Sequence, residues 1–210
     1  MVFIYLLIIG SQRVNNILEE YINTKEQPVN KIYIGISGKM GSGKSTLAKN
    51  IALALQSMSS ETISLAKPIK DLQETIYKQL DLELPDVKDR PLLIALGGWG
   101  RGKYSSFWLD QAVKSMKKSK AEIVLCDDVR FENEARWFQE HGILFRIEGE
   151  QRGDNVDKHL CNNSTETALD KFEFENIINN NLSPHQSATI ALSIIGSKLQ
   201  ILEGLNIKEA

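Results

Sequence analysis

One stretch of this chain has residue types and spacing that could do chemistry on their own: Ile32-Tyr33-Ile34-Gly35-Ile36-Ser37-Gly38-Lys39-Met40-Gly41-Ser42-Gly43-Lys44-Ser45-Thr46. It fulfils the pattern G-x-x-x-x-G-K-[ST], with an apolar run before it and an amphipathic helical pattern after it. Gly38, Gly41 and Gly43 let the backbone turn tightly enough for successive N–H groups to converge on a phosphate. A helix starting near Lys44 adds the positive end of its dipole. Lys44 would then reach the β- and γ-phosphates, and the Ser45 hydroxyl could ligate Mg²⁺. Residues Gly38 to Thr46 therefore read as a loop that binds a nucleoside triphosphate. A metal held there needs a carboxylate at the end of another parallel strand, and Ile123-Val-Leu-Cys126-Asp127-Asp128 offers two. Either Asp127 or Asp128 could hold Mg²⁺, directly or through water, or could instead cap the following helix. Cys126 sits inside that apolar run and reads as a buried structural thiol. Moving a phosphoryl group between two anionic substrates also requires cations beyond the loop lysine. Arg90, Arg101, Arg130, Arg136, Arg146 and Arg152 stand after strands or at helix edges as candidates.

These residues must be positioned by a framework, and the hydrophobic pattern predicts one. Strands are expected at Ile32–Ser37, Thr62–Ala66, Ala121–Cys126, Ile143–Ile147 and Glu175–Ile178. Helical patterns fall near 45–57, 68–80, 87–96, 106–118 and 131–140. A closing helix runs from the Ser183-Pro184 cap pair to about residue 203. Strands alternating with helices imply an α/β fold, a parallel sheet of about five strands with helices on both faces. The polar stretch 149–163 carries no regular pattern and fits a lid that would exclude water. Arg146, Arg152 and Lys158 are its cationic candidates.

Composition bounds the possibilities. The chain has 210 residues, 42% of them apolar, with 25 Lys+Arg against 27 Asp+Glu and a formal net charge of −2. That excludes a disordered chain and argues against a binder of nucleic acid polymers, which would need a basic excess. Two cysteines make no disulfide framework, which suits a reducing, cytoplasmic location. Met1 to Ile9 are apolar without a break, too few to span a bilayer. With the amphipathic pattern at 11–23, this reads as an N-terminal helical extension over 1–28, which packs on the body or mediates self-association, as in a homodimer. The nucleotide-binding domain then occupies 29–210.

Further segments carry a resemblance. Leu65-Ala66-Lys67-Pro68-Ile69-Lys70-Asp71 is similar to F-A-K-P-[IL]-K. Lys88-Asp-Arg90-Pro-Leu-Leu leads through Leu96-Gly97 and Arg101 to Trp108. Asp128-Val129-Arg130-Phe131-Glu132-Asn133-Glu134-Ala135 is close to D-V-R-F-x-N-E-A, and Thr165-Glu166-Thr167-Ala168-Leu169-Asp170 is near H-x-S-E-x-x-L-D. Together with the phosphate loop, and over roughly residues 31 to 182, these segments resemble the bacteriophage-type deoxynucleoside monophosphate kinases, a branch of the P-loop nucleotide kinases. The resemblance implies Mg²⁺-dependent transfer from ATP to a deoxynucleoside monophosphate, in line and without a covalent intermediate. It implies Lys67 and Lys70 at the acceptor site, Arg90 and Arg101 on the acceptor phosphate, and Trp108 stacked on the base unless it belongs to the core. It also implies Arg130 on a phosphate, Asp128 organising metal or acceptor sugar, and Arg152 as a lid arginine beside the migrating group. Glu166 would accept a hydrogen bond from the acceptor or orient a lid arginine. The chain departs from the pattern where His159 lies six residues before Thr165, which replaces the usual Ser, and Asn163 stands where the His would fall. Glu134 and Arg136 could form a helix-face ion pair. Kinases of dephospho-coenzyme A or phosphomevalonate share the loop and a lid, and an NTP-dependent switch is a further alternative.

Overall fold

The computed structural model describes residues 31–86, 88–149 and 167–206, with side chains through residue 199. The N-terminal extension, most of the expected lid, and with them Arg152, Lys158, His159, Thr165 and Glu166, lie outside the described residues.

Five strands form one sheet: β1 (Ile32–Gly38), β2 (Ser60–Thr62), β3 (Ile123–Val129), β4 (Ile143–Glu148) and β5 (Asn176–Asn179). Their order is β2-β3-β1-β4-β5 and every pairing is parallel. Six helices connect and cover them: α1 (Lys44–Ala54), α2 (Lys67–Gln79), α3 (Arg90–Lys103), α4 (Phe107–Lys118), α5 (Glu132–His141) and α6 (Pro184–Asn206).

The central strands read as apolar runs because both faces are covered. Ile32, Ile34 and Ile36 of β1 turn to one face, where they meet Leu47, Ile51 and Leu55 from α1 and its end, and Leu192, Ile195 and Leu199 of α6. On the other face Val124, Cys126 and Leu144 pack against Leu109, Ala112 and Met116 of α4 and Ala135 and Phe138 of α5. Lys31, just before β1, donates to the carbonyls of Met116 and Lys117, closing the C-terminus of α4 where a cation is favoured.

The third strand lies at Ile123–Val129 rather than Ala121–Cys126 and the first helix ends at Ala54, and two further boundaries differ from the sequence pattern with a packing cause. The second strand ends at Thr62 rather than starting there. Ile63 and Leu65 are buried, yet the chain has left the sheet by Leu65, whose amide is held by a side chain of β3. The helix expected over 87–96 runs over Arg90–Lys103, through Gly97, Gly98, Gly100 and Gly102. Packing overrides the poor helix propensity there. A Cβ on Gly100 would lie 2.3 Å from the Trp108 Nε1, so glycine is what lets α3 and α4 approach.

Candidate active site

The donor half is built at the C-terminal end of β1. Gly41 and Gly43 have φ of 74° and 96°, a region that side chains disfavour, so the loop folds around its own N–H groups. No side chain caps α1, whose N-cap is Gly43, so the positive end of the helix dipole points into the loop. The Lys44 ammonium donates to the Gly38 and Lys39 carbonyls at 2.7 and 2.8 Å, folded back across the loop's mouth. The Ser45 hydroxyl donates to the Asp127 Oδ2 at 2.5 Å.

A cavity of about 440 Å³ opens beside this loop, walled by Ile147, Ile178, Asn180 and Leu182. Asn180 ties that wall to the loop: its amide Nδ2 donates to the Ser42 carbonyl, and its backbone N–H donates to the Glu148 carbonyl. The sequence analysis did not single out Asn180. The run Asn179-Asn180-Asn181 at the end of β5 was the available signal, since polar residues at strand ends line sites in parallel sheets.

The two aspartates of β3 separate in role. Between Gly35 and Ser37 of β1 the partner strand advances from Cys126 to Val129, so β3 carries one extra residue at Asp127–Asp128. A bulge of this kind re-aims side chains. Asp127 meets Ser45. Asp128 turns to the loop after β2, where its Oδ2 accepts from the Ser64 hydroxyl at 2.6 Å and the Ala66 N–H at 3.2 Å, and its Oδ1 accepts from the Leu65 N–H at 2.8 Å. Both aspartates are metal candidates by sequence, and the structure gives them different neighbours. The Asp128 oxygens are engaged by the β2–α2 loop, and the Ser45–Asp127 pair is the one at the phosphate loop.

Residues expected at an acceptor site stand near the same strand end. Lys67 starts α2 and pairs with Asp71 one turn on, at 2.7 Å; Lys70 reaches the Ser64 hydroxyl at 3.3 Å. Arg101 lies over the Phe131 ring at 4.7 Å, beside Arg130 in sequence. Glu134 reaches back from α5 to accept from the Arg130 and Phe131 N–H groups at 2.8 and 3.0 Å. Burial pushes the Glu134 carboxyl up to about 7, with Asp128 adding to the rise, while the two N–H bonds and the Arg130 charge oppose it. Glu134 thus orders the backbone of the D-V-R-F segment rather than pairing with Arg136, whose ion-pair partner is Glu132. Arg90 is exposed at the first position of α3. The preceding Asp89 anchors it by capping Leu92 and accepting from the Tyr77 hydroxyl of α2.

Two expected residues, Trp108 and Arg146, take other places, while Cys126 takes the one expected. Trp108 is 7% exposed and donates its indole N–H to the Gly97 carbonyl, so its ring belongs to the α3–α4 packing and has no face for a base. Arg146 is a strand residue and 6% exposed rather than a lid charge. It donates to the Ser37 hydroxyl at 3.1 Å and lies near Asp170 and Glu148. Cys126 is fully buried against Met116, and burial pushes its thiol well above the ordinary range, consistent with a structural role.

A phosphate loop on β1, an acidic residue near the end of the adjacent β3 and lysines at the start of the helix that follows β2 mark a P-loop kinase, a phosphotransferase that binds a nucleoside triphosphate. Residues 36–143, just over half of the chain, match the phosphomevalonate kinase family. The chain belongs to that family. No curated protein matches it. Among solved structures, a gluconokinase from Sinorhizobium meliloti 1021 shares 16% identity over 88% of this chain and 100% of that one, with a TM-score of 0.46. Shikimate kinase from Aquifex aeolicus vf5 shares 11% over 81% and 99% (TM-score 0.45), and TT1252 from Thermus thermophilus 20% over 81% and 98% (TM-score 0.46). No assignment of chemistry rests on these three likenesses. Among the described residues no helix is long and apolar enough to cross a membrane.

Proposed function

We propose that the protein transfers the γ-phosphoryl group of ATP to the phosphate of a small phosphate monoester, with a deoxynucleoside monophosphate as the leading acceptor. The observation that carries the reading is the division of β3: Asp127 meets Ser45 of the phosphate loop, and Asp128 holds the loop Ser64–Ala66, which leads into a shelf that bears Lys67 and Lys70 one strand away. Such a site brings two phosphates to one sheet edge. The two segments that gave the nucleotide kinase resemblance, around Lys67 and Arg130, are the ones that build the shelf. They favour a nucleotide acceptor. Membership of the phosphomevalonate kinase family favours phosphomevalonate as a second candidate. Both acceptors present a phosphate monoester, and both reactions yield a diphosphate.

In this reading Lys44 exchanges its carbonyl partners for the β- and γ-phosphates, and the N–H groups of the loop and of α1 hold the β-phosphate. Lys67, Lys70, Arg101 and Arg130 hold the acceptor phosphate, one of whose oxygens attacks the γ-phosphorus in line. Mg²⁺ fits the donor set, since it binds through one or two oxygen ligands and substrate phosphates rather than in an all-protein cage. Among the described residues no cluster of three or more His, Cys, Asp or Glu could form such a cage. Ser45 and Asp127 would hold the ion, which neutralises charge on the transferring group when bound. Arg152 and Glu166 are proposed as contributors from the lid, Arg90 as a rim contact, and self-association through residues 1–28 as an added property.

The test is a panel of deoxynucleoside monophosphates, ribonucleoside monophosphates, phosphomevalonate and dephospho-coenzyme A with Mg·ATP, scored for ADP release and for the phosphorylated product. A nucleoside diphosphate product supports the leading acceptor. Turnover of phosphomevalonate alone moves the assignment to the second. Steady ATP hydrolysis indifferent to every acceptor contradicts both.

A further inference from the structure

We propose that Asp128 is the positioning residue of the acceptor half: it sets the loop Ser64–Ala66, and through that loop the stance of Lys67 and Lys70, while Asp127 alone of the pair serves the donor half. The inference rests on the phosphoryl-transfer reading for what the lysines bind, but its structural content stands without it.

A carboxylate has about four lone-pair positions, and Asp128 fills three of them with donors from three consecutive residues, Ser64, Leu65 and Ala66. Those donors immediately precede Lys67, the first residue of α2. Ile63 and Leu65 are buried in that approach and the Ile63 N–H donates to the Leu125 carbonyl, while Asp128 takes the donors of the three residues that enter the helix. The preceding strand β2 is three exposed residues long, and no side chain of its own caps α2 at Ala66. Asp128 therefore substitutes for the missing cap from across the sheet, placing a negative charge where the helix dipole favours one. The link continues outward, because the Ser64 hydroxyl that donates to Asp128 receives the Lys70 ammonium. The bulge in β3 lets neighbouring residues aim at separate targets. Donor and acceptor loops are consequently fixed from adjacent residues, about 3.8 Å apart along the chain, which sets the separation of the two phosphates.

Asparagine cannot replace this carboxylate. It presents one oxygen, and its NH₂ would face an N–H or hydroxyl donor. Asp128→Asn should raise the KM for the acceptor about tenfold or more, with the Mg²⁺ concentration for half-maximal rate and the KM for ATP unchanged. Ser64→Ala keeps both amide bonds and should raise acceptor KM about threefold. Asp127→Asn should do the opposite, shifting the Mg²⁺ requirement. The acceptor is whichever deoxynucleoside monophosphate, or else phosphomevalonate, the wild type phosphorylates. In parallel, hydrogen exchange is measured with no acceptor present: Asp128→Asn should speed exchange of the Leu65 and Ala66 amides about tenfold or more and leave those of Thr46 and Leu47 unchanged. A shifted Mg²⁺ requirement in Asp128→Asn with unchanged acceptor KM would make Asp128 a metal residue and overturn the proposal. So would exchange at Leu65 and Ala66 equal to wild type. If Asp128→Asn does not fold, Ser64→Ala decides, and the proposal falls if neither its acceptor KM nor its exchange over residues 64–67 changes. Failure of the wild type on every deoxynucleoside monophosphate and on phosphomevalonate would refute the proposed acceptors, while the exchange measurement still tests the loop assignment.

Discussion

Replacing Glu134 by glutamine isolates the cost of holding a charge behind the acceptor shelf. In the native protein this carboxyl is pushed from 4.5 up to about 7, chiefly by burial, against the pull of the Arg130 and Phe131 N–H groups and the Arg130 charge. The folded state therefore holds a proton that the unfolded chain has released over the window from about pH 4.5 to 7. A carboxyl raised in this sense contributes stability while protonated, and the contribution fades as pH rises through the folded value. The rise corresponds to about 3 kcal/mol between the two ends of the window. For a domain of this size that amounts to roughly 6–12 °C in melting temperature. Glu134→Gln keeps an oxygen for both N–H groups but never ionises. Urea denaturation of both proteins at pH 5, 6, 7 and 8 reads the difference directly, since every other titrating group is common to the two. Wild type should lose about 2.5 kcal/mol relative to the variant between pH 5 and pH 8, leaving the variant at least as stable at the alkaline end. Parallel profiles that agree to about 0.5 kcal/mol throughout would refute the reasoning.

Lys44→Ala should lower phosphoryl transfer by about 10³ or more while the melting temperature stays within a few degrees; activity that survives the change contradicts the phosphate-loop assignment. Gly100→Ala drives a methyl group into the Trp108 indole and should cost about 1–3 kcal/mol by urea denaturation; unchanged stability would mean that α3 and α4 are not held at this spacing. Arg146→Met removes a buried guanidinium from Ser37 and Asp170 and should destabilise the fold by roughly 1–3 kcal/mol. A fully stable variant would show that the Ser37 contact carries no weight.

The phosphate loop was legible because its chemistry uses the backbone, and only particular residues at particular spacing permit that backbone. The five strands and the flanking helices were legible because each has a buried face with its own period, as in Ile32, Ile34 and Ile36 against α1 and α6. What the residues could not show depends on contacts remote in sequence. A bulge at Asp127–Asp128 has no local signature, so the two carboxylates remained interchangeable until Ser45 and Ser64 were seen beside them. The four glycines of α3 argued for an early stop, and only the indole of Trp108 explains why the helix continues past them. Burial likewise moved Trp108 from the site to the core and Arg146 from a loop to a strand.

Phosphorus-31 NMR of the protein with Mg·ATP and a deoxynucleoside monophosphate tests the central claim most directly. The account predicts that the monophosphate resonance is replaced by the paired resonances of a diphosphate as ATP becomes ADP, one for one. Inorganic phosphate accumulating with every phosphate monoester left intact would contradict it.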